Sequence, residues 1–164
     1  MTPMDLVGVR VEIPANTPMV LLQEQTGAQR LLPIYIGSPE ASSIHYALEG
    51  IDPPRPLTHD LFLTTLKQLG ATLERVVVTE VRDHTYYAEL HLRAAGVEHV
   101  LSSRPSDAIA LAVRCEAPLF ASDELLDEVG QLPEPAPEDE AEDMIDEFKD
   151  FIENVSAEDF DDYP

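Results

Sequence analysis

The sequence predicts an α+β fold: a mixed or antiparallel sheet of about six strands with three or four helices, one of them buried, followed by a disordered acidic tail. Three patterns point to it. Apolar and polar residues alternate with period two in several segments, as they do in half-buried strands. Between those segments lie stretches of helical spacing, opened by Pro and closed by Gly. Finally, Ser103-Arg104-Pro105-Ser106-Asp107 opens a run, Ala108 to Val113, that is apolar on every side of a helix and must therefore be buried.

In chain order, Val7, Val9, Val11 and Ile13 alternate with Gly8, Arg10 and Glu12, predicting a first strand with the Val/Ile face inward. Met19–Gln23 and Arg30–Ile36 flank Gln25-Thr26-Gly27-Ala28, where Gly27 can supply the positive φ of a hairpin turn. Gly37-Ser38-Pro39-Glu40 offers a helix start, and Ala41, Ile44, Ala47 and Leu48 keep helical spacing over 39–49. The prolines of 51–56 make a stiff connector. A second helix runs from a Thr58 N-cap to a Gly70 C-cap, with Phe62, Leu66 and Leu69 on its apolar face and Leu63 beside it.

Three strand candidates follow, 73–82, 86–93 and 97–102, and a meander is the economical way to join them. The buried helix comes next, with Pro105 at its first position and Cys115 read as a small core residue. After a short 118–121 segment, Ser122 caps a weak helix with Asp123 and Glu124 in its first turn. The globular pattern ends at Leu132, which divides the chain into a domain, 1–132, and a tail, 133–164. The tail opens on Pro133-Glu134-Pro135-Ala136-Pro137 and has room for one marginal amphipathic helix around Phe148 and Phe151.

Charge divides the same way. The net charge is −22, and fourteen acids against Lys149 put −13 of it in the tail. Ten basic residues against 32 acids argue against avid polyanion binding, because affinity for nucleic acid comes from Lys and Arg displacing counterions. Any nucleic-acid substrate is therefore expected to bind weakly, and the tail is suited to a basic protein partner or to competing with substrate. No apolar run approaches the ~18–20 residues of a membrane span. The start of the chain lacks a basic, apolar leader, and the single cysteine suits a reducing compartment, so the expected location is cytoplasmic.

Familiar catalytic signatures are missing: no phosphate-cradling Gly-rich loop, no His-Glu-x-x-His, no Cys cluster, no Gly-x-Ser-x-Gly. What remains is two Arg-Pro helix entries, Arg55-Pro56-Leu57-Thr58-His59-Asp60-Leu61 and Arg104-Pro105-Ser106-Asp107, each delivering a carboxylate to a first turn. Their parallel form suggests one shared site. His45, His84, His91 and His99 show no ligand spacing.

Those two entries, with Leu32-Pro33-Ile34-Tyr35-Ile36-Gly37, Glu40-Ala41, Tyr87-Ala88-x-Leu90 and the run to Ala112, resemble the bifunctional nuclease domain family over roughly residues 5–130. The resemblance implies an α+β domain that assembles as a homo-oligomer, a dimer in the simplest case, and cleavage of both RNA and DNA. Plant members carry a further C-terminal domain where this chain has its acidic tail.

Phosphodiester hydrolysis needs an activated nucleophile and neutralisation of charge on phosphorus. The expected catalytic set is His59 as proton shuttle, Asp60 and Asp107 as acid/base or metal groups, and Arg104 as phosphate clamp. Arg55 and Ser106 are expected to touch substrate. Asp60, Asp107 and Glu40 supply hard oxygens for Mg²⁺ or Mn²⁺, and no organic cofactor is expected. The alternative is a non-enzymatic oligomeric module in which the same residues are caps and ion pairs, while the acidic tail binds a basic partner.

Overall fold

The computed structural model describes residues 1–133 as a seven-stranded mixed sheet with four helices. The acidic segment from 134 onward, with its expected disorder, lies outside the described residues. The elements are β1 (Thr2–Glu12), β2 (Thr17–Glu24), β3 (Leu31–Tyr35), α1 (Ser38–Leu48), α2 (Thr58–Gln68), β4 (Ala71–Arg82), β5 (Thr85–Ala94), β6 (Val97–Ser103), α3 (Pro105–Cys115), β7 (Leu119–Ala121) and α4 (Asp123–Val129).

The sheet order is β3-β2-β1-β7-β4-β5-β6. Two antiparallel halves, β1 to β3 and the expected meander β4 to β6, are joined by β7, which pairs antiparallel with Thr2–Met4 and parallel with Val76–Val78. This seventh strand corrects the expectation of about six. Three residues are too few to show period-two alternation, so only the pairing on both sides defines the strand. The meander turns at Asp83-His84 and Ala95-Gly96 have positive φ at both central residues, the geometry whose twist matches the flanking strands.

The first strand departs from its expected face. Met4 and Leu6 point inward, the register shifts by one residue between Leu6 and Gly8, Val9 packs on the core as expected, and Val7, Val11 and Ile13 are exposed. A bulge inverts the side-chain alternation, which no alternating pattern can foretell. In α2 the inward residues are Leu63 and Leu66, while Phe62 and Leu69 face solvent and no residue is fully buried. The N-cap is Leu57, with Thr58 at the first helical position, because Asp60 reaches back to accept the Leu57 N–H at 2.8 Å and displaces Thr58 from the capping role.

Helix α3 is the central element. Ala108 to Ala112 are buried without a break, and the helix packs on β4 and β5 with α1 and α2 on its flanks. Its last turn leaves the core, so Cys115 is exposed rather than buried, its Sγ–H donating to the Leu111 carbonyl at 3.3 Å. Ser122 caps α4 as expected, its hydroxyl accepting the Leu125 N–H at 3.1 Å. Among the described residues no helix is long and apolar enough to cross a membrane.

Candidate active site

Proline sets the geometry of the helix starts. Pro105 at the first position of α3 holds Arg104 extended, at φ −72° and ψ 142°, so the Arg104 side chain leaves at the N-cap and turns back over the first turn. Pro39 lies in the first turn of α1, where its missing N–H costs no helical bond, and Pro56 immediately precedes Leu57, the N-cap of α2. The three starts converge, and their side chains form one continuous network.

Arg104 grips Asp107 through Nε to Oδ2 at 2.7 Å and Nη2 to Oδ1 at 3.0 Å, and its Nη1 donates to Glu40 Oε1 at 3.0 Å. His59 Nε2 lies 3.1 Å from Asp107 Oδ1, and His59 Nδ1 lies 2.9 Å from the Ser43 hydroxyl. Arg114 continues the chain: Nη2 donates to both Ser43 Oγ and the Ser43 carbonyl at 3.1 Å, and Nε donates to Asp60 Oδ1 at 2.6 Å. Glu40, Arg104, Asp107, His59, Ser43, Arg114 and Asp60 are thus linked in order across α1, α2 and α3.

The expected residues fall into four groups. Glu40, His59, Arg104 and Asp107 meet in a cleft of about 570 Å³ lined also by Pro39, Ser43, Leu57 and Thr58. Ser106 instead lines a neighbouring cleft of about 370 Å³ with Ile34, His84 and Tyr86, and the Arg104–Glu40 pair lines both. Arg55 is exposed on the connector, outside both linings. Asp60 faces away from Asp107: its oxygens accept from Arg114 and from the Leu57 N–H. It therefore stands three links behind His59 as the anchor of Arg114.

Sequence reasoning passed over Ser43 and Arg114. Ser43 sits three residues after Glu40 on α1, and Arg114 seven residues after Asp107 on α3, spacings that put each pair on one helix face. Those spacings were the available signal. A core-facing stripe hides them, because Arg114, only 9% exposed, is a charge among apolar neighbours.

Burial works against ionising Asp107, but hydrogen bonds from Arg104 and His59 and the adjacent positive charge outweigh it and hold the carboxyl below its ordinary range. Asp60 follows the same balance: burial raises it, and Arg114 with the Leu57 N–H brings it lower. Arg104, beside two carboxylates, is raised further above its already high value.

This donor set does not fit a divalent metal as it stands. Among the described residues no three His, Cys, Asp or Glu side chains are placed to hold one. Both oxygens of Asp107 and both of Asp60 already accept hydrogen bonds, and Asp60 is directed elsewhere. Magnesium asks for a near-octahedral set of free oxygens. The chemistry available here is that of an oriented imidazole beside a guanidinium.

Fold and site together define an α+β domain with an arginine-flanked Asp–His pair where three helix starts converge. The pattern of the bifunctional nuclease domain family matches residues 20–134, and the chain belongs to that family. An uncharacterized protein of Mycobacterium tuberculosis is 39% identical over 160 residues, which span 94% of this chain and 95% of that protein. Bifunctional nuclease 1 of Oryza sativa subsp. japonica is 31% identical over 103 residues, 61% of this chain and 31% of the rice protein. Bifunctional nuclease 1 of Arabidopsis thaliana is 30% identical over 108 residues, 64% and 33% respectively. The match therefore spans about a third of the plant relatives.

Two outcomes test the network as a structural element. Arg114→Ala takes the guanidinium from Asp60 and Ser43 and should lower unfolding stability by about 2–3 kcal/mol in urea titration, against less than about 0.5 kcal/mol for exposed Arg55→Ala. Asp60 and Asp107 have native pKa values below the ordinary 3.8, so the unfolded chain binds more protons in that range. Their contribution is complete above the ordinary value and is lost as pH falls from there through the lower native values. The urea midpoint should hold steady from pH 6 to 5 and drop below about 4, with a shallower drop in Asp107→Asn.

Proposed function

We propose that this chain is a nuclease of low sequence specificity that hydrolyses phosphodiesters in RNA and DNA, with the scissile phosphate between Arg104 and His59. The observation that carries the reading is the placement of His59, ordered by Asp107 at 3.1 Å, in the same cleft as Arg104, whose side chain is 65% exposed. Three of the five guanidinium N–H groups of Arg104 bind Asp107 and Glu40, leaving two for phosphate oxygens. Membership of the family and the printed names of the plant relatives support the same activity. Net acidity supports weak substrate binding, hence contact with the phosphate at the site rather than along a basic groove.

Self-association belongs to this reading. Strand β6 is the outer edge of the sheet, and it exposes Val97, Val100 and Leu101 beside unpaired backbone, a surface that a second copy of the chain would cover.

A second reading has its own support. Glu40, Asp60 and Asp107 each have an arginine partner, so the network also serves as a clasp between three helix starts in a non-enzymatic module whose acidic tail, by its charge, would bind a basic protein.

The two readings separate in a cleavage assay on single-stranded RNA and DNA, run in Mg²⁺, in Mn²⁺ and in EDTA with the full chain and folded His59→Ala and Arg104→Ala variants. The nuclease reading predicts cleavage of both polymers by the parent chain, continuing in EDTA, with about 100-fold loss in His59→Ala. Cleavage abolished by EDTA would restore the divalent metal to the mechanism. Absence of cleavage, or equal rates in all three proteins, would leave the clasp.

A further inference from the structure

We propose that Ser43 is the nucleophile of this site, attacking phosphorus to give a phosphoserine diester that water then resolves; the assignment of a nucleic-acid substrate rests on the nuclease reading above. Three facts lead to Ser43 and away from a bound water.

The first is that both ring nitrogens of His59 are engaged. Nε2 faces Asp107 and Nδ1 faces the Ser43 hydroxyl, at 3.1 and 2.9 Å. A histidine that activates water must offer one nitrogen to it, whereas the proton within reach of this ring is that of Ser43.

The second is the polarity of the hydrogen bonds, which the ends of the chain dictate. Arg114 can only donate, and Asp107, ionised, can only accept. His59 Nε2 therefore carries the proton given to Asp107, which in the neutral ring leaves Nδ1 as an acceptor. Ser43 then donates its hydroxyl to Nδ1 and accepts from Arg114 Nη2 at 3.1 Å. All three bonds run in one direction, from a guanidinium through a hydroxyl and an imidazole to a carboxylate. This is the nucleophile, base and orienting group of a serine triad, with the two ring nitrogens exchanged.

The third is access. Ser43 lines the same cleft as Arg104, Glu40 and His59, so a phosphate held by Arg104 lies on the side of α1 that presents the hydroxyl.

The steps balance. The Ser43 proton moves to His59 Nδ1 as Oγ bonds to phosphorus, and Arg104 with Arg114 offsets the added negative charge. The bond from phosphorus to the leaving sugar oxygen breaks, and that oxygen takes the proton from Nδ1 as an alcohol. A water molecule then gives a proton to Nδ1 and its oxygen to phosphorus. Finally the phosphorus–Oγ bond breaks and Ser43 recovers the proton. The sum is hydrolysis of one phosphodiester by one water.

The test uses the full chain and two reagents. An end-labelled single-stranded oligonucleotide is quenched in denaturant during turnover, and a simple alkyl fluorophosphonate is incubated with the protein, both followed by intact-mass and peptide mapping. The expected results are a phosphodiester adduct on Ser43, loss of adduct and at least about 100-fold loss of cleavage in Ser43→Ala, and fluorophosphonate labelling slowed about 100-fold in folded His59→Ala. Cleavage by Ser43→Ala at the parent rate with no adduct on the parent chain would overturn the serine and leave the nuclease standing. Labelling of Ser43 by fluorophosphonate without cleavage of either polymer would keep the serine and overturn the substrate. Neither labelling nor cleavage would overturn both.

Discussion

The Asp107 carboxylate, at the third position of α3, accepts from Arg104 on its own helix and from His59 on α2. Everything at the cleft depends on that convergence. A first-turn carboxylate commonly answers its own helix's free N–H groups; here Asp107 is turned outward by the arginine fork, which leaves it free to bind across the helix boundary. Because α3 is buried along its first turns, the carboxylate is held on a rigid element, and His59 and Arg104 are located by it.

The sheet explains why the three helix starts meet. β7 follows α3 directly and is inserted between β1 and β4, so the two antiparallel halves join into one sheet beneath α1 and α3. α3 lies over β4 and β5, while α1 lies over β1 and β2, and their contact brings Glu40 and Ser43 to the start of α3. Arg114 fastens the arrangement from the far end of α3 by reaching both Ser43 and Asp60. Charge alternates along the linkage, so each buried or half-buried ion has a partner. That is the condition under which charges are retained at a helix interface.

Much of this is legible in the chain itself. The two Arg-Pro entries state where two helices begin, and proline's fixed φ makes those positions firm. The apolar surround of Ala108–Ala112 gives the buried helix, and the residues that meet at its start, Glu40, His59, Arg104 and Asp107, follow from the idea of a shared site. What the pattern hides is set by tertiary pairing. The bulge after Leu6 reverses the face of β1, β7 is too short to announce itself, and Asp60 turns to Arg114 because that guanidinium arrives from another helix. Ser43 is hidden for a different reason: serine is common at helix surfaces, and only its two partners distinguish it.

The arrangement turns on His59, whose Nε2 faces Asp107 at 3.1 Å and whose Nδ1 faces the Ser43 hydroxyl at 2.9 Å. Long-range ¹H–¹⁵N correlation spectra of the imidazole in the parent chain, at a pH where the ring is neutral, read directly which nitrogen carries the proton. The account predicts the Nε2–H tautomer, with Asp107→Asn shifting the tautomer population. A ring protonated at Nδ1, or one whose tautomers are unchanged by Asp107→Asn, would contradict it.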